Sequence, residues 1–247
     1  MITDEIAALP RTVTRAEWLA ARKELLAQEK AATRLRDSVN AQRRRLPMVK
    51  VEKAYVFKGP EGKPTLLDLF KGRRQLYVHH FMWNEVTEKH CPGCTAAAHM
   101  LFTEKILEHL EGKDVSFAAI SRAPLEKITP YRVANGWVFP WYSSDGSSFN
   151  YDFHITLDES VSPVEYNYRN RAELLAAGET AESLEGDRTG TSIFLRRGDE
   201  VFHTYSAYTR GLDFMLPPVN MLDLTPYGRQ EDWEDSPPGW PQQPTYG

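Results

Sequence analysis

Cysteine is scarce in this sequence. The 247-residue chain has two, Cys91 and Cys94, and they stand three positions apart. A disulfide scaffold of a secreted protein uses more cysteines at wider spacing, so this pair is not a structural staple. Two thiols held this close indicate redox or metal chemistry instead.

Long apolar runs and an excess of basic residues are also lacking. No run approaches the ~20 apolar residues of a membrane span, and residues 1–5 lack the basic start of a secretory signal. The formal net charge of −4 offers no basic field for nucleic acid. Glycine-rich phosphate loops and a Gly-x-Ser-x-Gly string are absent. We therefore expect a cytoplasmic protein that has neither membrane nor nucleic acid as a partner.

The first segment is predicted to be a long helix. Thr14 and Glu17 form a capping box, and the helix should continue to about Asn40. Its apolar residues follow a three-four spacing that gives one narrow stripe: Trp18, Ala21, Leu25, Ala32, Leu35 and Val39. This stripe either packs on its own domain or contacts a second subunit, which makes a homodimer through the N-terminal helix one of two expectations.

The two cysteines lie between an apolar strand and a helix. The strand covers residues 76–83, the helix follows the cysteines and ends at Gly112, and a second apolar strand covers residues 115–121. A right-handed crossover makes the two strands parallel neighbours. Further along, residues 191–197 and 201–208 are predicted to form an antiparallel hairpin.

A Cys-Pro-Gly-Cys string at a strand-to-helix junction is typical of a redox centre. The first thiol falls at the helix N-terminus, where unpaired N–H groups and the helix dipole favour a thiolate. We therefore interpret Cys91 as the exposed nucleophile and Cys94 as the resolving thiol. Pro92 suits the first turn because it needs no donor there. His90, if protonated, would lower the pKa of Cys91 further.

Metal binding is the alternative interpretation of the same segment. His90, Cys91, Cys94 and His99 lie within ten residues, and thiolate with imidazole suits copper, zinc or iron. Cys94 and His99 are five positions apart, which places them well around a helix from each other. His90 is therefore the better added ligand.

Several strings together resemble one bacterial family, the thioredoxin-like proteins grouped as a domain of unknown function with serial number 899. The likeness runs from about Val49 to Arg229 and implies a thioredoxin-like fold, distantly related to peroxiredoxins. The strings that carry it are Cys91–Cys94, Ser121–Leu125, Gly136–Ser144, Phe149–His154 and Val201–Tyr205.

Two departures from better-known relatives matter. Thioredoxins place a cis-proline in the loop before the strand that faces the cysteines, and residues 188–193 contain no proline, so the usual docking element is missing. Peroxiredoxins resemble one another in a Pro-x-x-x-Thr-x-x-Cys string, whereas Thr87 stands four residues before Cys91 with no matching proline. A peroxidase of that standard design is disfavoured.

The predicted fold class is α/β. We expect a thioredoxin-like fold with a mixed central sheet flanked by helices, a long N-terminal helical arm and an irregular C-terminal tail. The expected domain organisation is an arm at residues 1–48, the thioredoxin-like domain at residues 49–229 and the tail at residues 230–247.

The leading functional interpretation is a thiol-disulfide oxidoreductase that requires no cofactor. Its partner would be a thiol or disulfide, in a protein or a small molecule. Arg122, at the end of the second strand, either steadies a thiolate or oxyanion or forms a surface salt bridge. The alternatives are a metal-binding protein using Cys91, Cys94 and a histidine, and a catalytically silent scaffold that dimerises through its arms.

Overall fold

The computed structural model describes residues 9–84 and 89–243. Thr87, noted above for its place before Cys91, lies outside the described residues. Residues 47–216 form one compact unit, and the segments before and after them form a second. None of the described helices combines the length and the apolar character needed to cross a membrane.

The described residues form one long N-terminal helix and several shorter helices. They are α1 (Arg15–Arg43), α2 (Pro92–Leu101), α3 (Glu104–Glu111), α4 (Leu125–Ala134), α5 (Phe149–Asp152), α6 (Arg171–Ala176) and α7 (Pro217–Leu222), with 3₁₀ segments at Asp68–Phe70, Glu182–Leu184 and Thr209–Met215.

The strands in the described part of the chain form one large sheet and three short two-stranded pairs. They are β1 (Val49–Lys50), β2 (Gln75–His80), β3 (Trp83–Asn84), β4 (Lys89–His90), β5 (Val115–Ser121), β6 (Trp141–Ser143), β7 (Thr156–Leu157), β8 (Glu165–Tyr166), β9 (Arg169–Asn170), β10 (Gly186–Asp187), β11 (Gly190–Arg197) and β12 (Glu200–Tyr208).

The large sheet has the strand order β1-β12-β11-β2-β5-β6. Strands β2, β5 and β6 run parallel, because helices carry the chain back between them. The β11–β12 hairpin lies antiparallel on the other side of β2. A strand-helix-strand unit followed by an antiparallel hairpin beside its first strand is the thioredoxin-like arrangement, so the predicted fold class is confirmed.

The N-terminal helix begins where its capping residues predict. Thr14 is the N-cap of α1, its hydroxyl accepts from the N–H of Glu17, and the Glu17 carboxylate accepts from the N–H of Thr14 at 2.9 Å. None of the residues of α1 is buried. Residues of its apolar stripe are largely exposed, with Trp18 46% and Leu35 65% exposed.

Two predicted elements are divided in the structure. The strand predicted over residues 76–83 ends at His80, and Trp83 begins the separate strand β3. The helix predicted to run from the cysteines to Gly112 breaks at Phe102, whose backbone is non-helical (φ −107°, ψ 40°). Phe102 is buried among aromatic rings, so tertiary packing outweighs the continuous helical pattern.

Side chains alternate between the two faces of the sheet and build two apolar clusters. The thiol-side cluster consists of Phe81, Trp83, Cys94, Ala98, Phe102, Phe117, Ala119, Ala123, Ile128, Trp137, Phe139 and Trp141. The far-side cluster consists of Tyr55, Phe57, Leu66, Leu69, Phe70, Leu76, Val78, Ala118, Ile120, Phe149, Phe153, Ile155, Leu157, Val164, Tyr166, Leu174, Leu184, Phe194, Val201 and Tyr208.

Two consecutive histidines at the end of β2 follow the same alternation. The His79 ring lies 4.9 Å from that of Phe102 on the thiol side, whereas His80 lies 5.7 Å from Phe149 on the far side. Both are buried, and burial lowers the pKa of each to about 3. Each imidazole is therefore neutral at pH 7.

Candidate active site

The thiol site forms where α2 begins, after the β3–β4 pair. Cys91 is the N-cap of α2, with an extended backbone (φ −62°, ψ 120°), and Pro92 occupies the first turn. The Sγ atom of Cys91 accepts a hydrogen bond from the N–H of Cys94 at 3.3 Å. The predicted position of Cys91 at a helix N-terminus, one turn before Cys94, is confirmed.

Hydrogen bonds make Cys91 the more acidic of the two thiols. The side chain of Cys94 and the backbone N–H groups of Cys94 and Gly93 lower the pKa of Cys91 to about 6, against an opposing effect of burial. The thiolate is therefore the main form of Cys91 at pH 7. Cys91 is partly exposed, whereas Cys94 is buried.

Cys94 has the opposite character. It is 2% exposed, and its hydrogen bond to Cys91, together with burial, raises its pKa well above the ordinary value. The Cys94 thiol also donates to the Oγ1 atom of Thr189 at 3.2 Å. No disulfide bond joins the two cysteines in the structure. One partly exposed cysteine with an acidic thiol and one buried thiol therefore stand one helical turn apart.

His90 precedes the site without acting as a cation there. Its ring centroid lies 3.7 Å from that of Tyr131 and 4.8 Å from that of Trp83. Burial lowers the pKa of His90, so the protonation on which its predicted effect depends is disfavoured at neutral pH. The groups that lower the pKa of Cys91 are Cys94 and Gly93.

The predicted metal ligands do not converge. The Nδ1 atom of His99 accepts a hydrogen bond from the indole N–H of Trp137 at 3.2 Å, and the ring of His90 packs on Tyr131. Across residues 9–84 and 89–243, no three histidine, cysteine or acidic side chains are grouped so that they could hold a metal ion. The donor set of Cys91, Cys94, His90 and His99 does not fit a metal as it stands.

Arg122 supports the loop that reaches the buried thiol. Its Nη1 atom donates to the hydroxyl of Tyr151 at 2.7 Å, and its Nε atom lies 3.5 Å from the carboxylate of Asp187. The Asp187 side chain is only 3% exposed, so this ion pair is half-buried rather than on the surface. Asp187 stands two residues before Thr189, which contacts Cys94.

The aromatic segment 137–154 is divided between the two sides of the sheet. Trp137, Phe139 and Trp141 belong to the thiol-side cluster, against which the partly buried side chain of Cys91 packs. Phe149 and Phe153 belong to the far-side cluster. The first half of the segment therefore forms part of the wall behind the thiols, and the second half is core.

Two contacts beside the thiols were not predicted from the sequence. The hydroxyl of Thr189 contacts Cys94 from 95 positions away, and the hydroxyl of Tyr131 lies 3.1 Å from that of Thr95 on α2. The only signal for Thr189 was its position in the loop before the strand that faces the cysteines, where the missing proline was noted. No local pattern marks Tyr131.

A family model covers nearly the whole chain. The family described as "Bacterial protein of unknown function (DUF899)" matches residues 7–246. The chain belongs to this family. The resemblance read from the sequence strings is thus confirmed, and it extends beyond the stretch from Val49 to Arg229 on which it was based. No curated protein matches this DUF899 chain in sequence.

Solved structures similar to the chain include three bacterial proteins. Peroxidoxin BcpB from Mycobacterium tuberculosis has 12% identity and a TM-score of 0.46, and the match covers 72% of this chain and 97% of that one. Peroxiredoxin Q from Xanthomonas campestris has 13% identity and a TM-score of 0.45, and the match covers 71% of this chain and 97% of that one. A PrxQ mutant from Xylella fastidiosa has 12% identity and a TM-score of 0.43, and the match covers 71% of this chain and 94% of that one. Likeness at this level does not bear on activity.

Proposed function

We propose that this protein is a thiol-disulfide oxidoreductase in which Cys91 is the nucleophile and Cys94 the resolving thiol. The observation that carries this proposal is the contrast between the two sulfurs. Cys91 is a partly exposed residue at the N-cap of α2, where hydrogen bonds from Cys94 and from backbone N–H groups favour its thiolate, while Cys94 is a buried thiol one turn away.

The reaction proceeds by two thiol-disulfide exchanges. The Cys91 thiolate attacks one sulfur of a substrate disulfide, forms a mixed disulfide and displaces the other sulfur as a thiolate. Cys94 then loses its proton and attacks the Cys91 sulfur, which closes the Cys91–Cys94 disulfide and displaces the second substrate sulfur. The substrate gains two electrons and the Cys94 proton, and the protein loses two electrons. A cellular dithiol would reduce the protein again.

The test uses a chromogenic aromatic disulfide and the full chain. The wild-type protein should release two equivalents of the aromatic thiolate per chain. Cys91→Ser should release none rapidly, and Cys94→Ser should release one and retain the other as a mixed disulfide on Cys91, visible by mass spectrometry. The chain has no third cysteine, so every covalent adduct is assigned without ambiguity.

The same variants separate the alternatives. A metal retained by freshly purified protein through gel filtration and lost in Cys91→Ser would favour the metal-binding interpretation instead. A wild-type Cys91 that titrates like a free thiol, with no disulfide formed by the pair and no metal, would leave the silent scaffold. Either result would overturn the oxidoreductase assignment.

A further inference from the structure

Thr189 is the side chain that meets the buried thiol from across the sheet. Its Oγ1 atom accepts from the Cys94 thiol at 3.2 Å and donates to the backbone carbonyl of His80 at 3.3 Å. The second of these bonds is long for a hydroxyl donor. The Thr189 hydroxyl is therefore held beside the Cys94 sulfur while its own proton is only weakly engaged.

The backbone on both sides of Thr189 is fixed. The N–H of Arg188 donates to the carbonyl of Ile155 at 2.6 Å, and the Tyr166 hydroxyl donates to the carbonyl of Thr189 at 2.9 Å. Gly190 follows directly in a space without room for a side chain, since an added Cβ would lie 2.8 Å from the Tyr208 ring. Thr189 thus approaches Cys94 from a rigid position.

We propose that Thr189 is a positioning residue for the resolving step, in which its hydroxyl turns to donate a hydrogen bond to the Cys94 thiolate. This inference rests on the proposed function. Once Cys91 is bound in a mixed disulfide, its sulfur is no longer a thiolate that accepts from Cys94. The Thr189 hydroxyl and the N–H of Met82 are then the groups that can stabilise the Cys94 anion in its buried place.

The direction of the Cys94 pKa agrees with this role. The hydrogen bond with Cys91 and, after it, burial raise the pKa of Cys94, whereas the Thr189 hydroxyl lowers it. No cis peptide bond occurs in residues 9–84 and 89–243. In the loop that carries the substrate-docking cis-proline in thioredoxins, this chain places Thr189, whose hydroxyl contacts the resolving thiol.

The test compares Thr189→Val with Thr189→Ser in the chromogenic disulfide reaction. The first thiolate release, which reports Cys91, should keep its wild-type rate in both variants. The second release, which reports Cys94, should slow by about tenfold to a hundredfold in Thr189→Val, the factor expected for one hydrogen bond to a charged group. Thr189→Ser keeps the hydroxyl and should resolve at nearly the wild-type rate.

A second measurement does not depend on activity. In a Cys91→Ser background the only thiol is Cys94, and its pKa is read from the ultraviolet absorbance of the thiolate. Adding Thr189→Val should raise that pKa by about one to two units, and adding Thr189→Ser should not. An unchanged pKa together with an unchanged second release would overturn the role of Thr189.

The two proposals fail in different ways. If wild-type Cys91 releases no aromatic thiolate while the single-thiol titration still responds to Thr189→Val, the oxidoreductase assignment is lost and the Thr189–Cys94 interaction stands. If the wild-type protein releases both thiolates and the rate of the second release is the same in Thr189→Val as in the wild type, only the inference about Thr189 is lost. If Thr189→Val does not fold, a comparison of Thr189→Ala with Thr189→Ser measures the effect of the same hydroxyl group.

Discussion

At the scale of single residues, the acidity of Cys91 depends on its neighbour. The side chain of Cys94 is the largest cause of the lowered Cys91 pKa, ahead of the backbone N–H groups. Cys94→Ala removes that donor and leaves the helix N-terminus intact, so the pKa of Cys91 should rise from about 6 by about one unit or more. The pH dependence of the alkylation rate of Cys91 by iodoacetamide measures this shift.

Cys94→Ser is the matched control, because a serine hydroxyl can still donate to the Cys91 thiolate. Its alkylation midpoint should lie between those of the wild type and Cys94→Ala. Identical midpoints in all three proteins would show that the helix N-terminus alone lowers the pKa of Cys91, and that the second cysteine acts only as the resolving group.

Also at this scale, His79 makes the protein sensitive to acid. Neither of its ring nitrogens has a hydrogen-bond partner among the described residues, and burial lowers its pKa to about 3 from an ordinary value near 6.5. The unfolded chain therefore binds more protons than the folded chain between these two pKa values, so stability is present above pH 6.5 and is lost as pH falls.

The expected size of this effect is set by linkage. Between pH 6.5 and pH 5, His79 alone should cost roughly 1.6 kcal/mol of unfolding free energy, and His80 acts in the same direction. Urea unfolding of wild type and His79→Leu at the two pH values should show a smaller loss in the variant by about that amount. An equal loss in both proteins would mean that His79 is hydrated or protonated in the folded state.

At the scale of elements, the start of β11 allows no side chain at Gly190. An added Cβ would meet Tyr208 at 2.8 Å, Ile155 at 2.9 Å and the Ala207 carbonyl at 3.2 Å, and two of these belong to packed side chains. Gly190→Ala should therefore lower the unfolding free energy by about 1–3 kcal/mol. Because Thr189 is adjacent, the second thiolate release should slow as well.

Gly112→Ala is the comparison for this prediction. Its added Cβ would make ordinary contacts of 3.5 Å and 3.6 Å at the end of α3, in a right-handed helical backbone. Its unfolding free energy should stay within about 0.5 kcal/mol of the wild type. Equal effects of the two substitutions in urea unfolding would contradict the close approach of β11 to its neighbours.

At the scale of the whole molecule, the chemistry is expected to belong to one unit. Both thiols, Thr189 and both apolar clusters lie within residues 47–216. A fragment of those residues should unfold cooperatively and keep the alkylation midpoint of Cys91. A fragment that is unfolded by circular dichroism would show that the arm and the C-terminal segment are needed to stabilise the fold.

The same fragment tests whether α1 forms a homodimer, which is one of the two expectations for its apolar stripe. Trp18, Leu25 and Leu35 of this helix are exposed. Covering such apolar side chains with a second helix would stabilise the association of two chains, because it removes apolar surface from water. Sedimentation should give a dimer for the full chain and a monomer for residues 47–216. A monomeric full chain at micromolar concentration would exclude the stripe as a subunit interface.

The sequence by itself determined the elements whose signals are local. The capping box at Thr14, the apolar strand at residues 115–121 and the position of Cys91 before a helix depend on neighbours within a few residues, and each is present in the structure. The parallel pairing of β2 with β5 follows from a single right-handed crossover, so the sequence also predicted it.

Only the tertiary structure decided which distant groups meet the thiols. Thr189 reaches Cys94 because β11 pairs beside β2, a contact that closes a loop of 95 positions and has no local pattern. Packing of the His90 ring on Tyr131 and the hydrogen bond from Trp137 to His99 separate the two histidines from a common ligand set, and packing of Phe102 broke a helix that the spacing predicted to continue. Burial and long-range hydrogen bonds arise from the assembled fold, which is why they set the chemistry of a motif that the sequence could only locate.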